Sequence, residues 1–395
     1  LEPWKRVYID EDYFAEDAHS YIECTWCHEG NEGATNKLDA HEGLISFPSE
    51  YPEYTCKGCH DTEDDPIVSH NKTSLHTTQE GYFERFEIRA GYDMRDDEHL
   101  LSEFKAECGV CHTSCGQCHV SRPITAGSGL NWGHEFKRTP NVGTNCTACH
   151  GSRVGEEFSG SHPGLDPDVH MVKRCELCHK ASEIHGNTTD ERTYRYDENK
   201  TTGISCEQCH YKDLDTATLL VEEINDYHKQ HWKGDSGVTL SCQVCHSQQY
   251  KNCNGCHVAG GGITGTSYLT FEIGKNYLKN TNDRYKDYDY ITVRHIPIAP
   301  NTFEPWGVDD LPDFENSEPT WKMTTPHNIR IWTPQTTVEE GQSCSISCHN
   351  TDYYLTDSDI ELYEDANYNE DTGESGYGYD NISRERKANQ NVIIK

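Results

Sequence analysis

The chain has 395 residues, enough for two or three ordinary domains, yet only 33% of them are hydrophobic and the mean hydropathy is −0.87. Lys and Arg total 34 against 67 Asp and Glu, a formal charge of −33 that disfavours binding to nucleic acid or to an anionic membrane surface. No run of eighteen apolar residues is present to span a bilayer, and the side chains are too polar to offset the entropy of ordering the chain, so something besides protein must supply apolar surface.

The cysteines indicate what that is. Nine C-x-x-C-H units follow one another: Cys24, Cys27 and His28; Cys56, Cys59 and His60; Cys108, Cys111 and His112; Cys115, Cys118 and His119; Cys146, Cys149 and His150; Cys175, Cys178 and His179; Cys206, Cys209 and His210; Cys242, Cys245 and His246; Cys253, Cys256 and His257. This pentapeptide is the attachment signature of a c-type haem: two thiols bond to the two vinyl positions of one porphyrin, and the following His binds the iron. A structural zinc site would take four ligands from two such pairs and needs no His after each pair. The last two of the 20 cysteines, Cys344 and Cys348, are followed at once by His349, a tenth unit with three spacer residues instead of two. A local disulfide is the alternative there. Ten covalently bound haem c groups are therefore expected, with no cysteine left over for a catalytic thiol.

Two units stand in tandem with only Thr113 and Ser114 between them, over Cys108 to His119, and a second close pair spans Cys242 to His257. Two porphyrins must approach closely at each, and the small residues Gly109, Thr113, Ser114 and Gly116 leave room for it.

Of 23 histidines, ten follow a Cys pair as proximal ligands, which leaves thirteen for the opposite face of the irons. Only three methionines exist, so most irons are expected to carry two His, which lowers potentials relative to Met ligation. The candidates for the distal position are His19, His41, His76, His99, His134, His170, His185, His231, His295 and His327. His19 and His170 each stand five residues before a Cys pair and His185 six after His179, although closeness in sequence does not fix which iron each would reach. His70 and His162, among Ser, Asn, Gly and Pro, are left as spares. His228 and His231 share one face if Leu219 to Trp232 is helical, with one of the two expected to ligate.

Regular structure is sparse in the pattern. Gly, Pro and Asn punctuate short segments, which predicts short α-helices at the Cys pairs, long loops and a mostly irregular fold with little regular core. Glu98 to Glu107 reads as a helix whose Leu100, Leu101 and Phe104 would pack on a porphyrin face. The organisation divides into an N-terminal region over 1–105 with haems 1 and 2, a dense haem region over 106–257 with haems 3 to 9, a haem-free insert over 258–343, and a segment over 344–395 with haem 10 and an acidic, Tyr- and Asn-rich tail. In the insert, Ser267 to Ile273 and Tyr290 to Ile298 are rich in β-branched and aromatic residues and predict strands. The ending Asn391 to Lys395 reads as a frayed terminus, or as a strand added to a neighbour. The start at Leu1, without Met or an apolar leader, suggests a processed, exported chain, extracellular or on the cell surface in first place and periplasmic in second. Four sequons, beginning at Asn71, Asn187, Asn199 and Asn381, match the glycosylation acceptor pattern.

With its ten attachment units the chain resembles the multihaem c-type cytochromes. The stretch Cys146 to Gly186, with Cys149-His150-Gly151-Ser152-Arg153, Asp168-Val169-His170 and Glu183-Ile184-His185-Gly186, is similar to the octahaem type that includes hydroxylamine oxidoreductase and tetrathionate reductase. It departs from that type in its ten units, in its C-x-x-x-C-H, and in having no C-x-x-C-K. The resemblance implies respiratory electron transfer or reduction of a small nitrogen or sulfur species, and also extends to extracellular cytochromes that form conductive filaments. The expected function is an electron carrier without a catalytic site, passing electrons by outer-sphere hopping. Its partners would be other cytochromes or copies of itself and an extracellular acceptor or redox partner. The alternative is a reductase with one open haem, for which Arg153 or Lys173 with His162 would be polar candidates.

Overall fold

The computed structural model describes residues 2–107, 109, 113–161, 164–186, 204–210, 226–232, 234, 237–248, 271–280, 287–296, 298, 300–339, 342–349, 353–360, 368–369, 374–375 and 379–394. The chain forms two compact units, each assembled from separate segments: Leu1–Gly81, Ser102–Ser152 and Arg174–Tyr194 make the first, and Tyr82–Leu101, Arg153–Lys173 and Arg195–Lys395 the second. This division does not follow the linear order that the spacing of the Cys units suggests.

The first unit is a set of short helices joined by turns. Glu11–Ala15, Cys24–His28, Lys37–Ala40, Pro52–Thr55 and Lys57–His60 are each four or five residues long and bury none of their side chains. Their starts are set by local chemistry. The Asp10 carboxylate accepts from the N–H of Asp12 at 3.1 Å, the Asn36 side chain accepts from the N–H of Asp39 at 3.1 Å, and Pro52 supplies a fixed φ at the first helical position. Among the described residues of this unit, only Val68, Phe104 and Val120 are buried hydrophobics. Trp26, Leu38, Phe47 and Tyr54 are two-thirds exposed or more. The unit as protein therefore has almost no core of its own.

The second unit contains a three-stranded antiparallel sheet in the order β1 (Glu272–Lys275), β2 (Tyr290–His295), β3 (Trp321–Met323). Ile273 lies opposite Thr292, and Val293 opposite Met323. The β-branched run Ile291-Thr292-Val293 favours the extended chain. Ile291, Val293, Trp321 and Met323 pack with Leu355, Ile360, Val392 and Ile393 into one buried cluster. A second buried group surrounds Arg89, whose guanidinium lies 4.8 Å from the centre of the Phe314 ring and donates to the carbonyls of Glu318 and Pro319 at 3.3 Å. A separate pair of two-residue strands, β4 (Tyr368–Asn369) and β5 (Glu374–Ser375), completes the β-structure described.

Short helices, a small strand-bearing region and little regular core are thus what the chain adopts. Three expectations need correction. The strand expected over Tyr290 to Ile298 stops at His295, because Pro297 has no N–H to extend the ladder. The first strand begins at Glu272, and residues 267–270 lie outside the described residues. The C-terminus is neither frayed nor a free strand. Val392 and Ile393 are buried, the N–H of Lys275 donates to the Val392 carbonyl at 2.8 Å, and the N–H of Ile394 donates to Leu355 at 2.8 Å. Gly274 makes this seating possible, since a Cβ there would stand 2.7 Å from Val392 Cγ1. The helix Tyr379–Ala388 leads into the seat, so the region from 344 onward completes the sheet's core. The insert over 258–343 does not close one alone.

Candidate metal centres

One helical turn explains the geometry of the Cys units. In Cys24–His28, Cys115–His119 and Cys242–His246 the two cysteines are three apart and the His four from the first, so all three side chains leave one side of the turn. The turn Cys115–His119 is closed at its start by the Gln117 side-chain oxygen, which accepts from the N–H of Ser114 at 3.1 Å. Cys344–His349 is likewise helical, six residues long to accommodate its extra spacer.

The expected attachment cysteines differ in how open they are. Cys24, Cys59, Cys178 and Cys209 are exposed, while their partners Cys27, Cys56, Cys175 and Cys206 are half-buried. Cysteine is ordinarily among the most buried residue types, and burial would close a sulfur to any group bonding from outside the chain. Each of these four units instead offers one open sulfur beside one that is partly enclosed. Cys108, Cys111 and His112, the whole unit of Cys253, Cys256 and His257, His162 and the side chains of Arg153 and Cys344 lie outside the described residues. The close approach expected at the two tandems therefore concerns residues that are only partly described, and the attachment expected at Cys256 is one of those that fall outside.

Six of the histidines that end a Cys unit face a second histidine from elsewhere in the chain. Within the first unit, ring centres are 5.9 Å apart for His28 and His134, 5.9 Å for His60 and His19, 6.1 Å for His119 and His185, and 6.2 Å for His150 and His76. Within the second unit they are 6.1 Å apart for His210 and His170 and 6.0 Å for His246 and His228. Imidazoles stacked face to face would stand closer, although edge-to-face rings reach the same separation. A metal ion bonded at about 2 Å to one nitrogen of each ring separates the ring centres by about 6 Å. The interplanar angles run from 15° to 87°, so the common feature is the separation and not a stacking geometry.

Burial, followed by the facing ring, pushes His134 and His228 below the ordinary histidine range, with His28 and His246 as the respective neighbours. Burial, then His19 and His119, acts in the same direction on His60, and burial, then His119, on His185. Neutral imidazole is the form that binds a metal. Among the described residues no group of three or more His, Cys, Asp or Glu side chains is arranged to hold a metal ion. Two nitrogens on opposite sides leave a metal's remaining positions to a non-protein ligand, and a porphyrin supplies four in the plane between the rings.

The other ring nitrogen of several of these histidines is held by a hydrogen bond. Nδ1–H of His28 donates to the carbonyl of Ile45 at 2.9 Å, that of His119 to Lys137 at 2.7 Å, and that of His246 to Arg330 at 3.1 Å. His19 and His170 donate instead to carboxylates, Asp17 at 2.7 Å and Asp168 at 2.8 Å. Burial works to raise the Asp17 carboxyl, but the N–H groups of His19 and Phe136 and the His19 ring hold it below the usual range. Asp168 is held down in the same way, against its burial, by the ring and N–H of His170 and the N–H of Ile329. Such contacts fix ring orientation and tautomer and leave Nε2 as the nitrogen with a lone pair to offer.

Thiols of different units also lie near one another. Burial, followed by Cys56, raises Cys27, and burial followed by the same Cys56 raises Cys115. The exposed Cys59 acts on Cys27 in the same direction, after Cys56 and Cys24. Cys118 is pushed up to about 11 by burial, then Cys115 and Cys149. Cys146 and Cys175 act on each other, which drives Cys146 up and holds Cys175 down. In the second unit Cys245 is pushed up to about 12 by burial, then Cys348. The expected attachment points are thus neighbours across units of the sequence motif, not isolated sites.

The remaining expected distal residues fall differently. His41 is exposed at the end of Lys37–Ala40, and His99 is exposed on Glu98–Glu107. His295 is a correction: it is buried at the end of β2, and its Nε2, the atom a distal ligand would use, is 3.0 Å from Glu385 Oε1. The strand that carries it places it in the protein interior, against Glu385 and Trp321. His327 is half-buried, and its N–H donates to the buried Glu157 carboxylate at 2.6 Å. His179 has Nδ1 3.3 Å from Glu183. Lys173 is exposed, its N–H bonded to the His170 carbonyl at 2.7 Å.

His228 is the residue that sequence reasoning passed over. The helix Asp226–His231 carries both histidines, His228 facing His246 while burial and then the nearby His349 lower His231. Both therefore stand near the histidine of a Cys unit, where the sequence pattern expects one of the two to ligate. The signal was their i, i+3 spacing, which places them one turn apart on one face. Nothing among protein-family models, curated proteins or solved structures matches the chain.

Proposed function

We propose that the chain is an electron-transfer protein carrying ten covalently attached c-type haems, most of them held between two histidines. The observation that carries this reading is the set of six His pairs with ring centres 5.9 to 6.2 Å apart, each joining the His of a Cys unit to one from a distant segment. Attached haem supplies an iron that gains and loses one electron without change of ligands. The chain's own residues would then do three things: the cysteines would fix each group in place, the paired imidazoles would hold its metal, and the hydrogen bonds to Nδ1 would set ring orientation. A metal held by two histidines would favour outer-sphere transfer over chemistry on a bound substrate. Exposed aromatic and aliphatic side chains of the first unit, Trp26, Leu38 and Phe47 among them, fit cover by a porphyrin or by a redox partner.

The partners under this reading are other cytochromes or further copies of the chain, with an acceptor outside the cell. Among the described residues no helix is long and apolar enough to cross a membrane. The test is the mass of the intact mature protein together with a haemochrome assay and ferric electron paramagnetic resonance. Ten haems per chain and low-spin signals alone are expected. Absence of covalent porphyrin would overturn the reading, and a high-spin centre that binds nitrite or hydroxylamine would replace it with a reductase.

A further inference from the structure

We propose that Asp17 and Asp168 are positioning residues that each make one iron the low-potential member of its unit: the iron between His19 and His60, and the iron between His170 and His210. The inference rests on the ligation proposed above and adds to it a difference among the sites.

Two segments far apart in sequence, Asp17-Ala18-His19 and Asp168-Val169-His170, build the same device. In each, the carboxylate accepts from the Nδ1–H of the histidine two residues on, at 2.7 and 2.8 Å. The same carboxylate also accepts from that histidine's own N–H, at 2.7 Å in both. Its second oxygen is held by a backbone N–H from a distant segment, Phe136 for Asp17 and Ile329, at 2.7 Å, for Asp168. The Asp side chains are only 1% and 3% exposed, so water screens them little.

A carboxylate partner differs from the carbonyl partners that His28, His119 and His246 have. It places a full negative charge beside the imidazole and makes Nε2 a stronger donor to the metal. Stronger donation and negative charge favour the more highly charged ferric state, which lowers the potential. Each transfer moves one electron from the ferrous iron of one site to the ferric iron of its neighbour, with no bond formed or broken and the Nδ1 proton remaining in its hydrogen bond. His179 also has a carboxylate neighbour, but Glu183 stands at 3.3 Å with both side chains more exposed, at 43% and 28%, which weakens its effect.

The experiment is an optical redox titration of the mature holoprotein at one fixed pH, comparing wild type with Asp17→Asn, Asp168→Asn and the matching Glu variants. Each Asn variant is expected to keep its full haem count and low-spin spectrum and to shift the reduction equilibrium of one low-potential component about tenfold or more towards ferrous, roughly 59 mV per tenfold. The Glu variants are expected to recover part of that shift, which a merely structural role would not give. Unchanged midpoints in a fully loaded, low-spin variant would overturn the proposal. Loss of a haem or of its low-spin state in the Asn variants would also overturn it, since the carboxylate would then only hold the loop. A wild type without haem would instead defeat the underlying ligation.

Discussion

The first unit and the sheet region of the second illustrate two ways of ordering a polar chain. Around the sheet, Ile291, Val293, Trp321, Met323, Leu355, Ile360, Val392 and Ile393 bury one another, and the strands need nothing but protein. In the first unit only Val68, Phe104 and Val120 are buried among the described residues, while Trp26, Leu38, Phe47 and Tyr54 stay open. Four His pairs are nonetheless held at a common spacing there. Under the proposed reading, apolar surface and cross-links in the first unit would come from attached groups, while in the sheet they come from side chains.

The largest expected effect follows from that difference. Chain produced without haem attachment is expected to lose amide-exchange protection throughout the first unit while the amides of β2 remain protected; equal loss in both would erase the distinction. Next in size, Trp321→Ala removes a side chain only 2% exposed from the sheet core and is expected to cost about 3–5 kcal/mol. Thermal unfolding followed in the far ultraviolet reads this, with the visible spectrum of the first unit's sites unaltered.

A smaller effect is expected at Gly274, where an added Cβ would meet Val392 Cγ1 at 2.7 Å. Gly274→Ala is expected to displace the C-terminal segment at a cost of about 1–3 kcal/mol, read by faster exchange of the Lys275 amide that bonds to Val392. The smallest effect concerns acid. Arg384 on the last helix hydrogen-bonds Glu315 at 2.8 Å and, against the opposing influence of burial, holds its carboxyl below the ordinary range. A depressed folded value means the contribution is complete above the ordinary glutamate range and is lost as pH falls through the lowered one. Protection of Tyr379–Ala388 should decline over that acid window in wild type and be insensitive there in Glu315→Gln.

Much of the candidate chemistry was legible in the residues because it is local. C-x-x-C-H fits one helical turn, so the candidate attachment cysteines and the histidines beside them are read directly, and the sparse regular structure follows from composition. Which sulfur of a pair stays open was not legible: Cys59, Cys178 and Cys209 are exposed as the second of their pairs but Cys24 as the first, because the segments that pack over each turn come from elsewhere in the chain. Distal partners were also less legible. His19 lies next to Cys24 in sequence but faces His60, and His170 lies next to Cys175 but faces His210. His295 has the same residue type and a promising isolation, yet a strand carries it to Glu385.

The sequence by itself determined the Cys units with the histidine that follows each, the acidic charge and the shortness of the helices, since each is written in the residues themselves or depends on neighbours a few residues away. Only the tertiary structure decided which histidines face one another, that His228 and His231 both stand beside a proximal ring, that two of the paired rings rest on buried carboxylates, and that Val392 and Ile393 close a core. Those depend on where loops bring segments scores of residues apart, and loop paths in a chain with so few apolar contacts are set by the whole set of packed sites and by no local pattern.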